Sequence, residues 1–291
     1  MIVVDGVRGD MILSATLRSD LAPIPFTFEG TIRTTAETAA QFKDSALITV
    51  NQTAFRIVKS LPTASAAGVM ADKPFSGVHV TAFADGLQAL ALPRTTAAIF
   101  ENVALAGAFR ACGASVPMKG DFTLDQFACY IGEIPTFALA RVMQEEGVVV
   151  MWRAGSLQAM GYRELFAQTP IDEIDLDSSE SIFSAHLLAD QIPVYYSIAP
   201  DGQIITAPRT DAAQKLAYVP GKSQRALNNM GRVLVNRKSI TGKVNPSIRA
   251  GDMLVVKGVP MVVMTVAQVI DNGSDGGPAN QYTRVWLGVL S

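Results

Sequence analysis

The sequence predicts a β-rich α+β protein in which two β-barrel-like domains flank a mixed α/β middle region. Segments with a period of two residues fill the first 90 residues and return from residue 228 onward. The stretch between them contains helical spacings instead. Period two is typical of strands with one buried face, and many short strands are typical of a barrel or sandwich. The predicted regions are 1–90, 91–227 and 228–291.

The N-terminal region begins with two alternating segments, 11–17 and 26–33. Pro23 and Pro25 interrupt the connection between them, which suits an edge or a turn. Further predicted strands are 46–50, 55–59 and 78–83. The tripeptide Asn51-Gln52-Thr53 separates two of these strands and is predicted to be a hairpin loop.

The middle region begins with a predicted helix at 94–112. Its apolar residues, from Ile99 to Phe109, are spaced to lie close to one face, and Gly113 provides a stop. Another segment, 172–180, is acidic and suggests a calcium loop. The pattern fails, however, because the tight-turn glycine and the final glutamate are missing. We therefore predict a loop that ends in a helix N-cap at 177–179.

The strongest helix signal lies at 135–146. Pro135 suits the first helical position and Gly147 suits the C-terminal cap. A β-hairpin is predicted directly after it, with strands at 148–152 and 157–160 and a glycine-containing turn between them.

The C-terminal region contains predicted strands at 233–235, 253–256, 261–270 and 282–290, with a loop at 271–277. The apolar stretch between residues 253 and 270 is long enough to suggest a membrane helix. Gly258 and Pro260 break it, which favours two buried strands. The N-terminus carries Asp5, Arg8 and Asp10 where a signal peptide requires an apolar run. These features predict a protein made and folded in a reducing cytoplasm, with no membrane association.

Charged residues make up 17% of the chain and apolar residues 49%, whereas about 25% charged residues are typical. Two explanations fit this low charged fraction: a large monomer with a well-covered core, or a subunit whose apolar surface is buried against other subunits. The charges are segregated: residues 121–180 hold eleven acidic and three basic residues, and 207–260 hold ten basic and two acidic ones. The basic segment fits nucleic acid, a solvated face or docking of one subunit on another.

Motifs for chemistry are missing from the sequence. His79 and His186 stand alone, without metal-ligand spacing, and Cys112 and Cys129 lie in apolar stretches that indicate buried thiols. Neither a nucleophile elbow nor a dinucleotide fingerprint occurs, and Gly221-Lys222-Ser223 lacks the earlier glycine of a phosphate loop. We predict no catalytic residues, no cofactor and no metal, and hence a protein that is not an enzyme.

Four residues are predicted to serve as interface residues. Trp152 lies on the predicted hairpin and Trp286 on the last strand, where each is expected to anchor a core or an interface. Arg237 and Lys238 lie in the basic segment and are expected to help set the register between neighbouring subunits.

Residues 131–147, which continue into VVVMWRAGSLQAM, resemble the middle of phage late-control-D-type baseplate hub proteins. In that family an acidic residue precedes a short helix that carries arginine and ends in a glutamate-rich turn and glycine, and a hairpin with a glycine turn follows. The matching positions are Glu133, Arg141, Glu145, Glu146, Gly147 and Gly155. Residues 19–33 are similar to the start of such hubs. The closing SIRAGDMLVV segment resembles a tail-protein barrel.

The resemblance implies a structural baseplate hub of a contractile tail. Two tail-tube-type barrels in each subunit of a homotrimer would form a pseudo-sixfold ring between the tail tube and the central spike. The implied partners are further copies of the chain, the tail tube protein, the central spike protein, other baseplate proteins and the tape measure protein. DNA would pass through the channel without specific binding, and the location would be the virion tail, assembled in the host cytoplasm. The alternatives are a carbohydrate-binding or carbohydrate-active tail adhesin, a tube initiator and a connector.

Overall fold

The computed structural model describes residues 2–35, 37–70, 73–120, 122–174, 180–181, 192–209, 214–273 and 279–291. The protein is β-rich with few helices, as predicted. The strands are β1 (Ile12–Asp20), β2 (Phe26–Thr34), β3 (Leu47–Val50), β4 (Thr53–Met70), β5 (Lys73–Ala84), β6 (Ala98–Ala104), β7 (Met118–Lys119), β8 (Thr123–Cys129), β9 (Val148–Arg153), β10 (Ser156–Gly161), β11 (Asp172–Ile174), β12 (Glu180–Ser181), β13 (Val194–Ile198), β14 (Ile204–Thr206), β15 (Leu216–Tyr218), β16 (Leu234–Gly242), β17 (Met253–Val256), β18 (Val259–Asp271) and β19 (Asn280–Leu290). The helices are α1 (Leu105–Ala111), α2 (Pro135–Glu146), α3 (Tyr162–Phe166) and α4 (Gln224–Met230), with 3-10 turns at Gly9–Met11, Ala39–Phe42 and Gln88–Ala91.

Eleven strands form one sheet, nine of them from the two ends of the chain and two, β11 and β12, from the middle region. Its order is β12-β16-β19-β18-β1-β2-β5-β4-β3, with β17 paired to β18 and β11 paired to β17. The central joint is the antiparallel pair β1–β18, in which Ala15 faces Ile270 and Leu17 faces Gln268. The order is open, and among the strands described no closed barrel occurs, so the predicted barrels are not confirmed. The boundaries of 1–90, 91–227 and 228–291 stay a prediction.

One face of this sheet covers the main core. Leu17, Phe28 and Ala82 are register partners on three adjacent strands and are almost fully buried. Burying side chains as large as Leu17 and Phe28 stabilises the fold by roughly 1.5–3 kcal/mol each. Thr16 and Glu29 occupy the next row on the opposite face, where Glu29 is exposed. The period-two pattern of the sequence therefore corresponds to an apolar core face and a polar outer face.

The N-terminal strands match the predicted positions. β1, β2 and β3 lie within one to three residues of their predicted bounds, and the predicted strands at 55–59 and 78–83 are parts of the longer β4 and β5. The loop between β3 and β4 consists of Asn51 and Gln52, whose φ angles of 46° and 64° are left-handed. Val50 pairs with Thr53 directly after this loop. A two-residue hairpin with positive φ at both positions matches the right-handed twist of the flanking strands.

The prediction of a helix at 94–112 is wrong in its first half. Residues Ala98–Ala104 form β6, which pairs with β8 through partners such as Ile99 with Ala128, and only α1 is helical. The apolar spacing from Ile99 to Phe109 fits both a strand followed by a helix and one continuous helix. Pairing with β8, which the local sequence does not reveal, decides between them. The stop at Gly113 is confirmed, with φ at 101°.

The prediction of helix α2 is confirmed at both ends. Pro135 is the first helical residue, and Gly147 closes the helix in the left-handed conformation with φ at 64°. Its N–H donates to the carbonyl groups of Met143 and Gln144, which satisfies the end of the helix. The hairpin β9–β10 follows as predicted, with Ala154 and Gly155 at positive φ in its turn.

The C-terminal strands match the predicted ones, although β16 extends from residue 234 to residue 242. Lys257 and Gly258 form the turn between β17 and β18, both with positive φ, so the apolar stretch 253–270 consists of two strands. No helix in the described part of the chain combines the length and the apolar character needed to cross a membrane.

The predicted acidic loop at 172–180 begins instead as strand β11, which runs parallel to β17. That part of the prediction is wrong, because hydrogen bonding to a distant strand is not visible in the local charge pattern. The predicted N-cap at 177–179 and His186 lie outside the described residues, as do residues 274–277 of the predicted loop at 271–277.

Candidate interaction surfaces

Trp152, the first predicted interface residue, lies inside the protein. Strand β9 positions it over the main sheet, where it is 7% exposed. Its ring stacks on Phe26 of β2, with ring centroids 6.0 Å apart and 15° between the planes. Within one chain Trp152 therefore anchors the middle-region hairpin to the main core, while its role in an interface stays a prediction.

Trp286 lies half-buried on the polar face of the main sheet. The guanidinium carbon of Arg284 is 5.1 Å from the centroid of the Trp286 ring, a cation–π arrangement. Beside it is a depression of ≈ 240 Å³ whose lining includes Arg18 and Glu29. Tryptophan and arginine together are typical of residues that bind partner proteins.

Arg237 and Lys238 lie near one end of the main sheet, on β16. Asn236 pairs with Gly288 and Lys238 with Leu287, so Arg237 is the extra residue of a β-bulge. Its side chain is exposed, whereas Lys238 is half-buried. A bulge redirects the side chain it carries, which suits a residue presented to a partner. The predicted interface residues thus occupy three separate places, and only Trp286 and the β16 pair lie on adjacent strands.

The acidic and basic segments meet within this chain, at the docking of α4 on α2 and β8. Lys222 Nζ lies 2.8 Å from Glu145 Oε1, and an Arg225 N–H donates to Asp125 Oδ1 at 2.9 Å. The guanidinium of Arg225 also bonds both oxygens of Glu146. Segregated charges therefore hold two parts of one molecule together, in addition to the uses predicted for the basic segment, which were nucleic acid binding, a solvated face or docking between subunits.

Burial makes this docking sensitive to the loss of a partner. The side chains of Glu145 and Glu146 are each 6% exposed in their ion pairs. Burial raises the pKa of Glu146, while the charge of Arg225 acts in the opposite direction. A carboxylate removed from water needs its cation, because an unpaired buried charge is costly.

The triplet Gly221-Lys222-Ser223 serves this docking as well. Ser223 Oγ accepts a hydrogen bond from the Ala226 N–H at 3.3 Å and so caps α4. This N-cap was not predicted from the sequence, although a serine directly before a short helical segment is a local signal for one.

The residues that carry the family resemblance have structural roles here. Glu133 Oε2 accepts a hydrogen bond from the Tyr130 N–H at 2.8 Å and closes the loop before α2. Gly147 caps α2 and Gly155 forms the hairpin turn at φ 77°. Arg141 is exposed on α2. Together with Glu145 and Glu146, these residues shape one compact helix–hairpin unit.

A second ion pair joins this unit to the C-terminal strands. An Arg153 N–H donates to Asp252 Oδ1 at 2.7 Å, and Asp252 Oδ2 accepts from the Arg249 N–H at 2.7 Å. Burial raises the pKa of Asp252 and lowers that of Arg153. Gly251 has φ at 90°, and a Cβ there would lie 2.5 Å from the sulfur of Met151, so glycine is required at this joint.

His79 and the two cysteines lie within the fold, in contact with neighbouring elements. His79 Nδ1 lies 3.0 Å from Thr31 Oγ1 on the neighbouring strand. Cys112 and Cys129 are free thiols with no exposed surface, as predicted. Within the described ranges, no three His, Cys, Asp or Glu side chains are grouped to hold a metal ion.

The sequence matches no family profile and no curated protein, whereas several solved structures are similar in fold. A tail protein from Neisseria meningitidis is similar, with a TM-score of 0.65 and 11% identity over 99% of this chain and 96% of that one. The 43 kDa tail protein of prophage MuSo2 from Shewanella oneidensis is similar as well, with a TM-score of 0.63 and 13% identity over 99% of this chain and 97% of that one. A third, the E. coli c3393 protein, is a type VI secretion component with structural similarity to the T4 tail proteins gp27 and gp5. It gives a TM-score of 0.54 and 8% identity over 99% and 76%. The chain therefore has, over nearly its whole length, the fold of phage tail and type VI secretion proteins.

Proposed function

We propose that this chain is a structural subunit of a phage-like contractile tail and, more specifically, the baseplate hub subunit. The observation that carries the proposal is the likeness to two tail proteins, which extends over almost all of both chains. The motif at residues 131–147, which resembles that of hub proteins, gives the finer assignment. In this function the protein works through its surfaces and its symmetry, without catalysis.

The placement of the perturbed ionisable groups supports a non-catalytic role. Arg153 pairs with Asp252, and Glu146 pairs with Arg225. Each pair joins two structural elements. Glu146 also lines a depression of ≈ 300 Å³ with Asp125 and Glu145, but its carboxylate there is engaged by the Arg225 guanidinium.

As a hub, the protein would form a homotrimeric ring that joins the tail tube to the central spike and contacts other baseplate proteins and the tape measure protein. DNA would pass through its channel without specific binding. Its location would be the tail of the virion, with assembly in the host cytoplasm.

The test is the subunit count together with binding to the neighbours. Light scattering of the purified protein should give about three times 30.9 kDa, negative-stain images should show a threefold ring, and the ring should bind the tail tube protein. A sixfold ring would instead favour a function as a tube initiator or a connector. A monomer that binds glycans but neither tube nor spike would replace it with an adhesin.

A further inference from the structure

The small sheet β14-β13-β15 has one face packed against a helix and one mainly apolar face directed to solvent. The inner face, with Tyr195, Ser197 and Ile205, packs toward Leu227 of α4. We call the outer side the open face. It carries the apolar and aromatic residues Tyr196, Ile198, Ile204, Leu216 and Tyr218, together with the exposed Thr206 and, at one end, the buried Val194.

The side chains of the open face form one surface. Ile198 and Ile204 are cross-strand partners, exposed by 48% and 69%. Tyr218, 51% exposed, pairs with Tyr196, with ring centroids 5.3 Å apart. A sheet face that meets water normally carries polar residues, so an apolar and aromatic face indicates an interaction surface.

A second exposed apolar surface lies where the β6–β8 ladder leads into α2. We call it the loop patch. It consists of Leu92, Ile99, Tyr130, Ile131 and Phe137, each between 55% and 71% exposed.

Hydrogen bonds hold the segments of the loop patch together. The Arg94 N–H donates to the Glu133 carbonyl at 2.9 Å, and the Gly132 N–H donates to the Arg94 carbonyl at 2.8 Å. Ile99 pairs with Ala128, which places Tyr130 on the same side of the ladder. The patch is therefore built on a fixed backbone.

The two surfaces lie toward opposite ends of helix α2. The loop patch surrounds its first turn, which contains Phe137. The open face lies beyond α4, which is fixed to the last turn of α2 by the Arg225–Glu146 ion pair and by the Asn229 side chain, which donates to the Glu145 carbonyl at 3.0 Å. Twelve helical residues span about 18 Å. One molecule therefore presents two different apolar surfaces in two different places.

The area of these surfaces suits a stable contact. A large side chain that is half to two-thirds exposed offers roughly 100 Å², so the two surfaces together would bury on the order of 1,000 Å². That is the size at which a specific protein–protein interface begins. Contact between two different surfaces of identical chains is head-to-tail, and such contacts close into rings when the rotation allows.

We propose that the open face of one copy of this chain packs against the loop patch of the next copy. The inference rests on the proposed ring-forming function and adds the surfaces that join its subunits. Because each copy uses a different surface toward each neighbour, a ring of three can close with every open face and every loop patch covered.

The test places one lysine in each surface. Ile204→Lys in the open face and Phe137→Lys in the loop patch should each reduce the mass in solution from that of the ring to that of a monomer. An equimolar mixture of the two variants retains one intact joint and should give a dimer of about twice 30.9 kDa. If each surface instead paired with the same surface of another copy, mixing would not produce this dimer. A variant with a lysine in one surface could then associate only through its other surface, with or without the second variant.

Leu47→Lys is the matched control. Leu47 is 52% exposed on β3 of the main sheet, away from both surfaces, so this variant should form rings as the parent does. Circular dichroism checks that each variant is folded, and Tyr218→Lys replaces Ile204→Lys should the latter unfold.

Rings of parental mass from both variants would overturn the inference, and so would a mixture that stays monomeric or a parent chain that does not self-associate. The proposed function is judged separately, by binding of the parent chain to the tail tube and the spike. If the lysine variants form normal rings that also bind the tail tube, the contact between open face and loop patch is wrong, and the proposed hub function still stands.

Discussion

Arg153 and Asp252 show how a single pair of residues can join distant parts of this fold. The two side chains are 22% and 16% exposed, and they connect the hairpin after α2 to the strand β17. Burial raises the pKa of Asp252 although a cation lies beside it. The folded protein therefore holds a proton on Asp252 more readily than the unfolded chain does. The contribution of this group to stability is full at acid pH and is lost as the pH rises through its folded pKa.

Asp252→Asn should remove this pH dependence. The amide keeps an acceptor for the Arg249 N–H but does not ionise. The free energy of unfolding, measured by urea titration, should be larger for the variant than for the parent by a greater margin at pH 7 than at pH 4. The variant is therefore expected to gain stability relative to the parent as the pH rises. Asp10→Asn, in the exposed pair with Arg8, should change the unfolding free energy by less than about 0.5 kcal/mol. A relative stability of Asp252→Asn that falls toward pH 7 would contradict the sign of the shift.

The two thiols should be inert in the folded protein. Burial, followed by the proximity of Cys129, raises the pKa of Cys112 to about 12, and burial raises the pKa of Cys129 as well. Iodoacetamide at pH 8.5 should modify Cys112 in the native parent protein, followed at its own peptide by mass spectrometry, roughly a thousand-fold more slowly than a free thiol of pKa about 8.5. In guanidinium chloride the reaction should be rapid. Modification of the native protein at the rate of a free thiol would contradict the buried position.

At the scale of elements, α4 has only seven residues and depends on its contacts. Helices this short are not stable alone. Leu227 packs against the small sheet, Ser223 caps the helix, and Arg225 ties it to Asp125 and Glu146. The docking of α4 therefore determines the position of the small sheet as well.

Arg225→Met should loosen this unit without unfolding the main sheet. It leaves Glu146, 6% exposed, without its cation, at a cost of about 1–3 kcal/mol. Hydrogen exchange followed by mass spectrometry should show faster exchange in α4 and β13, with β1 and β18 unchanged. Arg232→Met, at an exposed position nearby, should leave the exchange unaltered. Equal acceleration throughout the chain would instead indicate global destabilisation.

The elements that could be predicted from the sequence are those with local signals. Pro135 and Gly147 mark the ends of α2, and the alternation at 26–33 marks β2. What could not be predicted depends on distant partners. β6 is a strand because β8 pairs with it, and the apolar spacing from Ile99 fits a helix equally well. The same holds for the surfaces: Trp152 was identified as an anchor, whereas the open face exists only when three short strands within residues 194–218 pair side by side.

For the whole molecule, the charge segregation has an internal use, since Asp125, Glu145 and Glu146 pair with Lys222 and Arg225. The basic residues of β16 lie elsewhere, at a bulge toward the edge of the main sheet. Arg237 and Lys238 were predicted from the sequence to contact a neighbouring subunit. That prediction stays open, because the internal ion pairs lie on a different part of the surface.

Reversing Arg237 and Lys238 to glutamate should impair assembly and leave the subunit folded. Arg237 is exposed and Lys238 is only half-buried, so the subunit should stay folded, while a complementary partner surface would be repelled. Ring formation measured by light scattering should fall several-fold in the double variant, with an unchanged circular dichroism spectrum. Lys243→Glu, just beyond the end of β16, is a control that reverses one basic charge outside the bulge. Assembly equal to that of the parent would exclude these residues from any subunit contact.

The pairing of β1 with β18 also sets an order of events during synthesis. The Thr265 hydroxyl donates to Asp20 at 2.6 Å across 245 residues of chain. A nascent chain can complete β1, β2 and the hairpin β4–β5 early, yet β1 keeps one unpaired edge until β18 has left the ribosome. The hairpin β9–β10 and the β6–β8 ladder, which pair within the middle region, can form during that interval. Contacts this distant in sequence form slowly, and an exposed strand edge can pair with the wrong chain. The time between the synthesis of β1 and that of β18 is therefore when the growing chain has most need of a chaperone.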